Sequence, residues 1–277
     1  MFFRKKTQYV KTEEKSKKEE FSTFGLNDLL HYIKRETGID LFVKKDIIET
    51  RLKLFCTQRE LSSFKQLHDK VQFEDDLKQE LINLLTVNET YFFREEKQLQ
   101  EAIDFAASKS GEVNILCAPC ASGEEVYTLS IMLNEQLDSS KKFTITGIDI
   151  NSKAIQKAKD GTYSQRALHK LSQELKSKYF TSQGDSFRVK KHLFPSVNFF
   201  KVNIFEDSFT NLGRFDILFS RNMLIYFDDD FRVTAVKRFS QLLNKNGKVF
   251  LGHADFVPKN KWLFKHGFGS SCYYSKA

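Results

Sequence analysis

The sequence predicts an α/β protein: a doubly wound, mostly parallel sheet preceded by an all-α domain and interrupted by a small antiparallel β insertion. Three observations carry that prediction. Up to Leu85 the apolar residues recur at helical spacing. After about residue 110 they gather into short runs, VNILC, FTITGIDI, VNFFKV, FDILFS and KVFLG, separated by helical segments. Such runs are what strands buried on both faces of a parallel sheet look like, and their alternation with helices implies βαβ units. Finally, about 35 residues separate the helix near Ser152 to Asp160 from the strand near Val197, far more than an ordinary connection, so something is inserted there.

In chain order, residues 1–21 alternate Lys, Arg and Glu with few apolar positions and read as a charged, disordered tail. A helical domain is expected over 22–90. Its apolar sets are Leu26, Leu29, Leu30 and Ile33, then Ile47, Ile48, Leu52 and Phe55, then Leu77, Leu81, Leu84 and Leu85. Gly38 is placed to stop the first helix, and Ser62-Ser63 to cap the third. The sheet domain occupies 91–277. Its insertion falls near 171–196, where SFRVKKHLF alternates like a short exposed strand behind the turn residues Gln183-Gly184-Asp185.

The composition, 40% hydrophobic over 277 residues, suits one large or two modest cores. The opening MFFRKKTQYV has no apolar run behind it, and no stretch offers eighteen uninterrupted apolar residues, so a signal peptide and a membrane span are not expected and the chain reads as cytoplasmic. Four cysteines fit a reducing compartment, and six scattered histidines suggest no metal site. The net charge of +8 would suit nucleic acid, an anionic membrane face or an acidic protein surface, and charge alone does not choose.

The most informative stretch follows the first strand: I-L-C-A-P-C-A-S-G-E-E-V-Y, Ile115 to Tyr127. Its C-A-P-C looks like a redox dithiol, but it also lies where α/β sheets bind ligands, in a loop feeding a helix N-terminus. A dinucleotide loop would need G-x-G-x-x-G to bring pyrophosphate to the backbone, and that pattern is absent. Glu124 and Glu125 would instead repel phosphate and favour a cationic group. The next strand, GIDI, ends on Asp149, at the distance where an acidic residue meets ribose hydroxyls. Together these suggest an adenosine ligand without pyrophosphate, S-adenosylmethionine being the obvious candidate. Each part alone has a plainer reading: Glu124 complements a helix dipole, Asp149 caps the next helix, and Cys117 and Cys120 are packing.

Read in order, N-E-T-Y-F-F-R (Asn88 to Arg94), C-A-S-G-E-E-V-Y, G-I-D-I-N, A-K-D-G-T-Y, R-F-D-I-L-F-S-R-N-M-L-I-Y-F-D (Arg214 to Asp228) and L-G-H-A-D (Leu251 to Asp255) closely resemble the motifs of the chemotaxis receptor methyltransferases, the CheR family. The likeness runs from about Leu26 to Gly269. It implies a helical N-terminal domain joined to a Rossmann-like S-adenosylmethionine-dependent methyltransferase domain with a small β-subdomain. Pro119 before the G-E-E and Val126 after it depart from the usual family loop. A thioredoxin fold would not supply GIDI, SRNMLIYF or so long an alternation.

What the resemblance implies for residues follows from the motifs. Asn88, Thr90 and Arg94 would contact S-adenosylmethionine, with Arg94 near the methionine carboxylate and Glu124 accepting from the amino group. Asp149 would bind the ribose, and Asn203 with Ile204 would border the adenine. Arg221 and Asn222 would lie against the cofactor, and Tyr226 near the incoming carboxylate. Tyr91, Phe92 and Phe93 read as packing. Family members esterify glutamate side chains on chemoreceptors. A glutamate with pKa about 4.3 is already ionised at neutral pH, so no base is required and His253 is not needed as one. Arg94 and Tyr226 are therefore expected to act as positioning groups.

The basic residues Lys44, Lys45, Arg51, Lys53 and Arg59 on or near one predicted helix would meet acidic receptor helices. In some family members the β-subdomain also grips a peptide at the receptor C-terminus, a role open to the segment Tyr179 to Pro195. Two rival readings are a nucleic-acid methyltransferase, for which an N-P-P-Y-like motif is absent, and a module that binds cofactor without turnover.

Overall fold

The structure, a computed structural model, describes residues 20–269 and 272–277. The charged segment expected as a tail lies, up to residue 19, outside them.

Four helices come first: α1 (Leu26–Thr37), α2 (Lys45–Thr57), α3 (Phe64–Val71) and α4 (Asp75–Leu85). Their apolar faces meet in one core containing Leu29, Leu30, Ile33, Leu52, Phe64, Leu67 and Leu81. The ends are set by local chemistry. Gly38 closes α1 in the left-handed region at φ 76°, donating its N–H to Lys34 O. A Cβ there would come within 2.4 Å of the Phe205 ring, so close packing against the second domain also requires glycine. The Ser63 hydroxyl accepts the Gln66 N–H at 3.1 Å and caps α3.

Helix α5 (Glu96–Ser108) leads into the sheet domain, whose elements are β1 (Val113–Cys117), α6 (Glu124–Gln136), β2 (Phe143–Asp149), α7 (Ser152–Asp160), β3 (Thr162–Ser164), α8 (Gln173–Tyr179), β4 (Phe180–Gln183), β5 (Ser186–Val189), β6 (Val197–Lys201), α9 (Asp207–Thr210), β7 (Phe215–Ser220), α10 (Asp229–Leu242), β8 (Leu243–Leu251), β9 (Leu263–His266) and β10 (Tyr273–Lys276). The main sheet has the order β6-β2-β1-β7-β8-β10-β9. Strands β6, β2, β1, β7 and β8 run parallel, and β10 pairs antiparallel with β8 and β9. All six residues of β7 are buried, as a central parallel strand requires. One face packs on α5, α6 and α7 through Leu99, Ile103, Leu129 and Ile155, the other on α10 through Val236 and Phe239. Strands β3, β5 and β4 form a separate three-stranded antiparallel sheet. Its first strand follows α7 directly. No described helix is long and apolar enough to cross a membrane.

The helical domain is fastened to the carboxyl ends of the parallel strands. Asn203 Nδ2 donates to Glu36 O at 2.7 Å, Asp40 N–H to Tyr226 O at 2.8 Å, and Asn151 Nδ2 to Thr86 Oγ1 at 2.7 Å. Lys34 Nζ lies 2.8 Å from Asp40 and 2.6 Å from Asp228. These contacts ring the cavity described next.

Candidate active site

The chain leaves β1 toward β2 and β6, then returns across β1 to β7, so the loops at their carboxyl ends part and leave a crevice. Two confluent halves of one cavity occupy it, sharing Val87, Pro119, Asn222 and Tyr226. The inner half, about 650 Å³ of empty space, is an apolar slot between Ile39 and Leu85 of the helical domain and Ile148, Ile204 and Phe227 of the sheet domain. Asp149 and Asn203 supply its polar wall. The outer half is polar and opens past Thr90, Tyr91, Arg94, Glu125 and Arg221.

Asp149, the last residue of β2, is 4% exposed. Its Oδ1 accepts the Asn151 N–H at 2.8 Å, and its Oδ2 accepts the Ala121 N–H at 2.9 Å and Asn88 Nδ2 at 3.4 Å. Burial nevertheless pushes its carboxyl up to about 6, against the pull of these donors. The following helix is capped by Asn151, whose side chain accepts the Ala154 N–H. Asn88 thus touches Asp149 and Asn151 rather than the cavity, its Oδ1 accepting Asn151 Nδ2 at 2.8 Å. Asn203 spends its amide on Glu36 and its Oδ1 on the Phe205 N–H at 3.0 Å. Ile204 lines the slot beside it.

The two glutamates that open α6 part company. Glu124 is 1% exposed, lines neither half, and accepts Ser122 Oγ at 2.9 and 2.8 Å; burial raises its carboxyl. Glu125 lines the outer half, and its Oε2 is ion-paired with Arg221 Nε. Its Oε1 is buried with no hydrogen-bond partner. Arg221 Nη1 also donates to Arg94 O at 2.8 Å. From the sequence both glutamates favour a cationic group, and the family resemblance implies Glu124 for the amino group; the rotation of about 100° between successive helical residues puts Glu125, not Glu124, on the cavity wall.

Arg94 sits between two residues in the left-handed region, Phe93 (φ 58°) and Glu95 (φ 54°), which turn its side chain to the cavity mouth. Its Nη1 donates to Glu89 O at 3.2 Å. Across the mouth, burial raises the Tyr226 phenol while the nearby Arg94 charge lowers it, the net being upward. Tyr226 is thus a neutral donor at physiological pH. Phe92 and Phe93 are buried, whereas Tyr91 lines the mouth. The turn after β7 is pinned by Asp255, whose carboxylate accepts the Asn222 and Ile225 N–H groups.

Cys117 and Cys120 are buried, and burial drives both thiols well above their ordinary range. A thiol held protonated is a poor nucleophile, which disposes of the redox reading of C-A-P-C.

The charge pattern asks for a ligand with an apolar body, hydroxyls at Asp149 and a cation at Glu125. S-adenosylmethionine fits: its ammonium would satisfy the orphaned Glu125 Oε1, and its adenosine the slot ending on Asp149. Comparison with known proteins agrees. Residues 25–86 match the all-alpha domain of the CheR methyltransferases and residues 88–272 their SAM binding domain. A chemotaxis protein methyltransferase of Campylobacter jejuni is 39% identical over 256 residues, covering 92% of this chain and 97% of the relative. That of Borreliella burgdorferi is 32% identical, covering 86% and 90%, and the second one of Vibrio cholerae 34% identical, covering 84% and 85%.

Proposed function

This chain belongs to the CheR methyltransferase family, and we propose on that premise that Arg94 and Tyr226 position a chemoreceptor glutamate for methyl transfer at the mouth of the cavity. It is an S-adenosylmethionine-dependent methyltransferase of chemotaxis, and its family implies glutamate as the acceptor. The observation that carries the residue assignment is the continuity of the cavity: an apolar slot ending on Asp149 runs into a polar mouth where Arg94 faces Tyr226.

S-adenosylmethionine supplies a methyl group made electrophilic by its sulfonium. The chain's own residues bind and align. Asp149 accepts the ribose hydroxyls, Ile204 and Asn203 border the adenine, and Thr90 and Asn222 flank the path to the outer half. Glu125 takes the ammonium, with Arg221 holding it in place, while Glu124 braces the loop through Ser122. Asn88 orients Asp149. Because a glutamate is ionised at neutral pH, no side chain has to accept a proton. Alignment of the carboxylate oxygen with the methyl carbon at roughly 3 Å is then the main task. Arg94 attracts the anion and Tyr226 donates to it.

The receptor would arrive along a groove that shares Val87, Ile225 and Tyr226 with the mouth and continues past Val43 and Lys44, just before α2, and Ile47 and Arg51 on it. Of the basic residues on or near this helix, Lys44 and Arg51 border the groove. Lys45 bonds Asn27, Lys53 lies over the Phe21 ring, and Arg59 is paired with Glu80. Lys44 and Arg51 are therefore the residues for acidic receptor helices, and the β-subdomain segment Tyr179 to Pro195 remains a candidate for a receptor-tail peptide.

The test is transfer of radiolabelled methyl from S-adenosylmethionine to chemoreceptor-containing membranes, with Arg94→Ala beside the wild type. Base-labile label on a receptor-sized band, lost in the variant, is the expected result. Cofactor binding without receptor labelling would overturn the substrate assignment.

A further inference from the structure

The motif L-G-H-A-D spans Leu251 to Asp255, at the end of β8 and just beyond it. Its aspartate lies in the loop after β8 and lines neither half of the cavity. It is nevertheless bonded to the backbone that forms one wall of it. Asp255 Oδ2 accepts the N–H of Asn222 at 2.6 Å and of Gly252 at 2.9 Å, and Oδ1 that of Ile225 at 3.3 Å.

The Asn222 and Ile225 N–H groups are ones the turn does not satisfy itself, while that of Gly252 belongs to the loop carrying Asp255. Leu224 to Tyr226 form a single 3-10 turn, with Tyr226 N–H on Met223 O at 3.0 Å and Phe227 N–H on Leu224 O at 3.1 Å. Groups at the start of such a turn have no partner within it. Asn222 also has φ 58°, a left-handed conformation that costs a non-glycine residue free energy and persists only where the surroundings hold it. Asp255 supplies that hold. Gly252 makes room for it: a Cβ at that position would come within 2.8 Å of Asn222 N and 2.9 Å of Asp255 Oδ2.

What hangs from this turn is the meeting point of the cavity halves. Asn222 and Tyr226 belong to both, and Ile225 borders the outer half and the groove toward α2. On its far side the turn is tied to the helical domain by the Asp40 N–H on Tyr226 O. The strand end and Asp40 fix its two flanks; in its middle Arg232 Nε donates to Leu224 O at 2.9 Å, and Asp255 takes the N–H groups.

We propose that Asp255 is a positioning residue for methyl transfer, holding the Asn222–Tyr226 turn in its reactive shape through backbone N–H groups without touching a reactant. The inference rests on the reading of Tyr226 given above. It makes a graded statement. Asp255→Asn keeps one oxygen able to accept from Asn222 and Gly252 but loses the contact to Ile225, whereas Asp255→Ala loses all three. Asp149 and Asn203, the polar wall of the adenosine slot, are held by Asn151, Ala121 and Glu36 rather than by this turn, and both changes leave those bonds in place.

The experiment uses the full chain as wild type, Asp255→Asn and Asp255→Ala. Amide hydrogen exchange is followed on peptides spanning 221–228 and, as a control, on β1 and β2. Exchange over 221–228 is expected to quicken by about tenfold or more in Asp255→Ala and by less in Asp255→Asn, with the control strands unchanged. With receptor membranes, kcat is expected to fall by about tenfold to a hundredfold, a loss of the size that misplacing a positioning group produces. Affinity for S-adenosylhomocysteine, read by calorimetry, stays within about threefold, a split that general destabilisation would not produce. Unchanged exchange over 221–228 in both variants overturns the proposal, and so does faster exchange with unchanged kcat. If Asp255→Ala does not fold, Asp255→Asn decides by the same criteria. A wild type that binds S-adenosylhomocysteine but labels no receptor counts against the substrate reading, and the exchange comparison then decides the role of Asp255 alone.

Discussion

Arg221 is ion-paired with Glu125 through Nε and Oε2, and the pair leaves Glu125 Oε1 buried at the cavity wall with no hydrogen-bond partner. An unpaired buried acceptor is costly unless a ligand completes it. Glu125→Gln removes the charge that an ammonium would meet and loosens Arg221. The expected result is a cofactor dissociation constant raised by about tenfold to a hundredfold, the range for a hydrogen bond to a charged group. Glu124→Gln keeps an acceptor for Ser122 Oγ and is expected to cost less than about threefold. Titration calorimetry with S-adenosylmethionine separates them, and a larger loss in the Glu124 variant would move the ammonium to that residue.

Asp149 gives the site a pH dependence whose sign is fixed by burial. Its carboxyl is raised to about 6 in the cofactor-free protein, so below that pH it carries a proton and one oxygen loses the acceptor capacity left over for ribose hydroxyls. Binding that needs the ionised form must first expel this proton. Affinity is therefore flat well above pH 6 and weakens on acidification, by up to about tenfold per pH unit. In Asp149→Asn the dependence vanishes and affinity is weak throughout. Calorimetric titrations between pH 5 and 8 check this, and a wild-type affinity unchanged across that window would show that Asp149 does not accept from the ligand.

Much of the fold was legible because its signals are local or periodic. Ser63 and Gly38 announced helix ends through capping chemistry, and β1 and β7 announced themselves as short, mostly apolar runs. Strands β9 and β10 did not. They are short, LFKH and YYSK, and carry exposed polar positions, so nothing distinguishes them from loop until β10 pairs with β8 and β9 with β10. The start of the small sheet was likewise hidden: Thr162–Ser164 is three residues long and gains its meaning from β5. Within the site, the motif loops were legible and the side-chain directions were not. Choosing between Glu124 and Glu125 needs the helix phase, and the role of Asp255 needs a backbone 33 residues away in sequence to be brought to within 2.6 Å.

Arg51 and Arg59 lie on or just past α2 but face different work. Arg51 borders the groove, whereas Arg59 stacks 3.6 Å from the Phe55 ring centroid and places Nε 3.0 Å from Glu80 Oε2. Reversing the charge at Arg51 is expected to raise the KM for receptor and to reduce its salt dependence, leaving the KM for cofactor unchanged. Reversing it at Arg59 sets two carboxylates together and lowers thermal stability, with little effect on receptor KM. Kinetics at two salt concentrations, beside a melting curve, test the pair; equal effects on receptor KM would remove Arg51 from the docking surface.

Tyr226 isolates positioning from cofactor binding. Its phenol is raised by burial despite the opposing influence of Arg94, so it stays neutral across the working range and can donate to an anionic acceptor. Tyr226→Phe deletes the hydroxyl and keeps the ring that packs at the junction of the two cavity halves. Losing one hydrogen bond to a carboxylate lowers kcat/KM for receptor by about tenfold or more. Affinity for S-adenosylhomocysteine stays near wild type, because the ring wall is intact. If the hydroxyl instead served the cofactor, the loss would fall on that affinity while turnover at saturating cofactor survived. If it acted as a base, activity would rise with pH toward the raised phenol value. A pH-independent loss of kcat/KM with cofactor affinity preserved is the outcome that assigns Tyr226 to the incoming glutamate.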